Sequence, residues 1–204
     1  MARGRSPDGG GNQRMKSSGR MTGEQRRSMV IDAAIAEFAV YGLYGVSTDT
    51  IADRVGVSQP YVIRLFGSKK NLFLEAGRRV FERILAAFEE EVEKDPEDTL
   101  SAVQRAYVGL LARREELLML LQFFAACEDD EVRRAVHEGM EKLYTYIKER
   151  SEADSETIRE LFTLAIMRTV SVGAGFSEAA RESEWARVLL GLEAESAERD
   201  VRSS

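Results

Sequence analysis

The chain has 204 residues, three prolines and one cysteine. That length allows one or two domains with a core that needs no metal, and a lone cysteine excludes an internal disulfide and fits a reducing compartment. The net charge of -6 argues against a nucleic-acid partner for the whole surface, but residues 1–70 sum to +5 and the remainder to -11. A basic front and an acidic rear fit either a front that meets a polyanion or an acidic protein with a flexible basic tail.

Three prolines, at Pro7, Pro60 and Pro96, leave long helices possible almost everywhere. No apolar segment follows the basic first residues, and the run Leu117 to Cys127 is broken by Gln122 and too short to span a bilayer. The expectation is a cytoplasmic protein with no membrane partner. Residues 1–21, with Gly9-Gly10-Gly11 and scattered arginines, read as a disordered basic arm.

The first helix starts near Thr22, which stands in capping-box spacing with Gln25. Ile31, Ala34, Ile35 and Phe38 repeat at helical spacing, and Gly42 and Gly45 end the stripe. Two short helices follow, from about Thr48 to Val55 and Gln59 to Leu65. Ser68 caps a long helix from Lys69 to about Lys94, which Asp95-Pro96 terminates. Further helices fit Thr99 to Arg113, Glu115 to Cys127, Glu131 to Glu149, Ser155 to Phe176 and Glu182 to about Glu198. No stretch alternates with period two, so the expected fold is all-α.

Residues Ser47 to Phe66 form two short helices around a tight turn at Val55-Gly56-Val57, where glycine suits a positive φ. Ala52 is small at the crossing, and Ile51, Val57, Val62 and Leu65 fill the wedge. Ser58 is placed to cap the second helix, with Pro60 in its first turn. This is either a helix-turn-helix or a helical hairpin that does not touch DNA.

The order Thr48, Ile51-Ala52, Val55-Gly56-Val57-Ser58, Phe66, Ser68-Lys69 and Leu72 resembles the N-terminal domain of the tetracycline-repressor (TetR) family of bacterial regulators. The resemblance covers about residues 24–75. It implies a three-helix DNA-binding domain over residues 22–70, joined by a long helix to a helical ligand-binding and dimerisation domain over residues 71–204. It further implies a homodimeric repressor on a palindromic double-stranded operator, relieved by a small-molecule effector. Thr48 is then expected to hydrogen-bond a phosphate. Gln59, Pro60 and Tyr61 front the recognition helix together with Ser58, with Gln59 suited to adenine and Tyr61 to a thymine methyl. Arg64 is a phosphate or guanine candidate, and Lys69 meets a phosphate at a helix N-terminus. The chain departs from the family pattern in having Pro60 where a small residue is common and Ile63 where an aromatic is common, which shifts the backbone contact to Tyr61.

Aromatic and sulfur-bearing side chains crowd the rear half, where helical spacing usually means core. The resemblance implies a cavity there, with Phe81, Tyr107, Phe123, Phe124, Met140, Tyr144 and Met167 as candidate lining. Ile166, Val170, Phe176, Trp185, Leu189 and Leu192 lie on the last two expected helices. They are the candidate dimer interface, unless those helices serve one broad internal core. No phosphate loop, nucleophile elbow or zinc-protease motif occurs, so no enzyme activity and no cofactor are expected. One histidine, His137, and one cysteine make a dedicated metal site improbable.

Overall fold

The computed structural model describes residues 21–190, which form ten helices and no strand. Helix α1 (Gly23–Gly45) opens on a full capping box: the Thr22 hydroxyl accepts from the Gln25 amide, and the Gln25 side chain accepts from the Thr22 amide. Residues 30–39 are buried apart from Asp32, Glu37 included, and the helix kinks at Gly42. An all-round apolar helix must be enclosed. The neighbours that enclose it are α4 (Lys69–Lys94) and α6 (Arg114–Ala125). By length and composition α1 could cross a membrane, yet 61% of its most apolar window is buried in the fold, as expected of a core helix.

Helices α2 (Thr48–Arg54) and α3 (Gln59–Phe66) pack against each other beside α1. Helix α4 keeps the bounds expected from sequence, and Ser68 caps it by accepting from the Asn71 amide. It runs from the α2–α3 corner into the rear bundle of α5 (Thr99–Leu110), α6, α7 (Asp130–Arg150) and α8 (Ser155–Ala174). One continuous apolar cluster extends from Val30 to Leu161, so front and rear share a core.

Four rings mark its spine. Phe38 meets Phe73 edge-on at 5.0 Å, Phe73 meets Phe123 at 5.3 Å, and Phe123 meets Phe81 at 6.4 Å. Gly77 is required there, because a Cβ on it would lie 2.4 Å from the Phe123 ring.

Several boundaries differ from expectation: α6 ends at Ala125 rather than Cys127, and the last described helix starts at Glu184 rather than Glu182. Helix α5 stops at Leu110 rather than Arg113. Helix α8 ends at Ala174, where Gly175 takes the left-handed conformation and closes the helix through its amide bond to the Ser171 carbonyl. Phe176 therefore starts a separate short turn, α9 (Phe176–Ala179), followed by α10 (Glu184–Leu190). Residues 1–20 of the arm expected over residues 1–21, the last helix beyond residue 190 and Leu192 lie outside the described residues.

Candidate nucleic-acid interface and internal cavity

Helices α2 and α3 are held as a rigid corner. Val57 donates its amide to the Ala52 carbonyl across the turn, and Gly56 sits at φ 68°, a conformation that costs a glycine nothing. Ile51 and Val62 are fully buried in the wedge, with Val57 and Leu65 packed beside them. Arg54 donates to Glu37 at 2.6 Å and so pins α2 to α1. Arg27 donates to the Leu65 carbonyl at 2.9 Å and lies over the Phe66 ring, so it clamps the end of α3 to α1.

On this frame the expected contact residues take up different positions. Pro60 and Arg64 are exposed, Tyr61 is half-buried, and the Arg64 guanidinium lies 5.0 Å from the Tyr61 ring centre. Thr48 is buried, and its hydroxyl accepts from the Gln59 amide at 3.2 Å, which ties the first residues of α2 and α3 together. Lys69 donates to the Val46 carbonyl at 3.0 Å and bridges the start of α4 to the loop before α2. An ammonium has three donors, so two remain.

Ser58 does not cap α3 as expected. Its backbone is extended, but its hydroxyl makes no capping bond. Pro60 offers no N–H at the second helical position, and the Tyr61 N–H is already bonded to the Ser58 carbonyl at 2.9 Å. Tyr44, which is not among the residues expected from sequence, is 84% exposed at the end of α1 beyond the Gly42 kink. The available signal was an aromatic outside the apolar stripe of α1.

The rear bundle encloses a void of about 50 Å³, joined at its edge to surface space. Helices α4 to α8 all contribute to its walls. Phe81, Tyr107, Phe124 and Met140 line it, as expected, together with Phe88, Leu120, Leu143 and Phe162. Phe123, Tyr144 and Met167 do not. Phe123 is fully buried one layer away, between Phe73 and Phe81. Tyr144 and Met167 are each 38% exposed, and Tyr144 instead edges an open groove between α7 and α8. The Tyr107 and Thr169 hydroxyls bond to each other across the void, between α5 and α8.

Of the candidate interface residues, Ile166, Val170, Trp185 and Leu189 are exposed, with Val188 beside them. Phe176 is half-buried, and Trp185 stacks edge-on against it at 5.2 Å. Ile166 lines both the void and the α7–α8 groove.

An N-terminal helix-turn-helix fused through one long helix to a hollow helical bundle defines a class, the helical bacterial transcription regulators. The family described as "Bacterial regulatory proteins, tetR family" matches residues 30–76 of this chain. The HTH-type transcriptional activator FasR of Mycolicibacterium smegmatis is 33% identical over 84 residues, which is 41% of this chain and 37% of FasR. The match thus spans little more than a third of that relative. A TetR-like transcriptional regulator from Rhodococcus sp. RHA1 shares the fold with a TM-score of 0.61 and 20% identity, covering 91% of this chain and all of that one. A TetR-family regulator from Mesorhizobium loti does so with a TM-score of 0.62 and 20% identity, covering 86% and 96%.

Proposed function

We propose that the chain is a homodimeric transcriptional regulator that binds a palindromic operator through α3 and is controlled by a small molecule in the rear cavity. The observation that carries this reading is the α2–α3 corner itself. Its buried side is fully packed, while Gln59, Pro60 and Tyr61 front α3, Arg64 lies one turn further on, and Lys69 opens the helix that follows. A helix presented in this way suits a major groove. Gln59 and Tyr61 are the base-reading residues, Arg64 and Lys69 face the phosphates, and the buried Thr48 holds Gln59 in place rather than making the expected phosphate contact.

Two copies would associate through the exposed apolar side chains Met167, Val170, Trp185, Val188 and Leu189 of α8 and α10. Effector binding among α4 to α8 would reposition α4, and with it the separation of the two recognition helices. A ligand shifts this equilibrium only by its differential affinity for the two states.

Repression relieved by the effector is the first reading. Activation is the second, and it is favoured by the name of the relative FasR, an activator. A reporter driven by the chain's own target promoter separates the two by the sign of the change when the protein is removed. Lys69→Ala tests the phosphate contact. Binding should weaken similarly on every sequence, and the slope of log affinity against log salt should fall by about one. An unchanged slope removes Lys69 from the interface.

A further inference from the structure

Resting on the effector reading above, we propose that the cavity takes a slim aliphatic carboxylate. Its head group is held by Arg168, and its chain runs beneath α8 towards the groove between α7 and α8.

The shape of the void argues for a single chain. About 50 Å³ is room for a few water-sized probes and not for a fused-ring body. Met140, Phe162 and Ile166 line both this void and the neighbouring groove of about 530 Å³, so these three side chains form a wall shared by the two. A ligand that reaches from the void to the groove must displace that shared wall, and an unbranched hydrocarbon does so with the least rearrangement.

The chemistry of the walls argues for the head group. The interior polar groups are Tyr107 and Thr169, and they satisfy each other. Thr169 donates to the Ala165 carbonyl at 2.9 Å, so in the bond between the two hydroxyls Tyr107 is the donor. Burial pushes the Tyr107 hydroxyl above its ordinary pKa, which keeps it a neutral donor. The inner wall therefore offers a ligand no free hydrogen.

Arg168 is the one charged residue of the lining. It is half-buried, and among the described residues no carboxylate lies within ion-pair distance of it. A partly desolvated guanidinium that cannot deprotonate gains most from an anion, and its fork fits a carboxylate. Gln104 on α5 lines the same void and supplies a further amide donor. At 3.6 residues per turn, positions 166 and 168 fall on opposite flanks of α8. Head group and groove thus lie at opposite ends of the path beneath the helix.

The test uses the full chain with decanoate, dodecanoate and 1-decanol, each below its aggregation concentration, and reads affinity by calorimetry and by thermal shift. Decanoate should bind about tenfold more tightly than 1-decanol, and dodecanoate roughly fifteenfold more tightly than decanoate, as two further buried methylenes require. Arg168→Met should abolish the preference for acid over alcohol by weakening decanoate more than 1-decanol, and Arg168→Lys should keep most of it. Equal binding of acid and alcohol by the wild type overturns the carboxylate assignment and leaves the effector cavity standing. A preference that survives in Arg168→Met also overturns it. If none of the three probes binds, or if Met140→Trp does not reduce their binding, the effector cavity falls as well.

Discussion

The proposed base-reading role of Gln59 is compatible with the donor count of a primary amide. One N–H is engaged by the Thr48 hydroxyl at 3.2 Å, which fixes the side chain at the front of α3. The other N–H and the carbonyl oxygen remain, and these are the pair that adenine N7 and N6 require. Gln59→Ala should therefore leave the fold intact and relax base preference at one or two positions per half-site, by about 1–3 kcal/mol each, in a competition assay against single-base operator variants.

A second residue-scale feature ties front to rear. Lys70, at the start of α4, donates to Asp129 and to Glu131, each at 3.0 Å. The Asp129 carboxyl is held below its ordinary pKa by the bond from Lys70 and by the Glu131 amide. A lowered folded-state pKa contributes stability that is fully present above the ordinary carboxylate value, about 3.9, and is lost as pH falls through the lowered value. Asp129→Asn keeps the cap on α7 but removes this charge. Between pH 6 and pH 3 its melting temperature should fall less steeply than that of the wild type, and parallel curves would show that the link contributes nothing measurable.

Among the elements, α6 bears on both halves of the molecule. Leu120 and Phe124 face the cavity, Phe123 sits among Phe73, Phe81 and Gly77, and the helix packs along α1 of the front domain. Arg83 of α4 reinforces this by pairing with Asp32 of α1 and, at 2.9 Å, with Glu116 of α6. Phe123→Ala should cost about 3–5 kcal/mol in denaturant unfolding, since the buried ring leaves a void that Gly77 cannot fill. A cost below 1 kcal/mol would mean that the site collapses freely.

The apolar faces of α8 and α10 make a different prediction. Val170→Asp combined with Leu189→Asp should yield a monomer by light scattering with the helical content kept. A dimer that persists would place the interface elsewhere.

The helices were legible in sequence wherever an apolar period met a cap. Thr22, Ser68 and the Asp95-Pro96 stop set α1 and α4 almost to the residue. The end of α8 was not legible, because its apolar stripe runs through Gly175 and only the backbone conformation there reveals the break. In the cavity, periodicity identified inward-facing aromatics but could not say which lie one layer deeper. Phe123 and Phe124 are neighbours in sequence, yet one fills the core and the other lines the void. Arg168 escaped notice because a lone arginine in a helix usually signifies a solvated face.

At the scale of the whole molecule, one continuous core from α1 to α8 means that a ligand among α4 to α8, as proposed, would act on helices that also bound the α2–α3 corner. No long flexible linker intervenes among the described residues, so coupling between the two sites would pass through packed side chains that shift together. Linkage then requires reciprocity: whatever factor an effector takes from operator affinity, the operator must take from effector affinity. Titrating the effector with and without operator should return the same ratio, and unequal ratios would exclude a simple two-state regulator.

The central claim, that α3 reads duplex DNA as one half of a symmetric pair, is tested most directly by selecting random duplex DNA on the full chain. The expected result is an enriched two-fold symmetric motif whose half-sites are centred about one helical turn, roughly 34–36 Å, apart, with Gln59→Ala degrading matched positions in both halves. Failure to enrich any motif, or an unsymmetric motif that Gln59→Ala leaves unchanged, would contradict it.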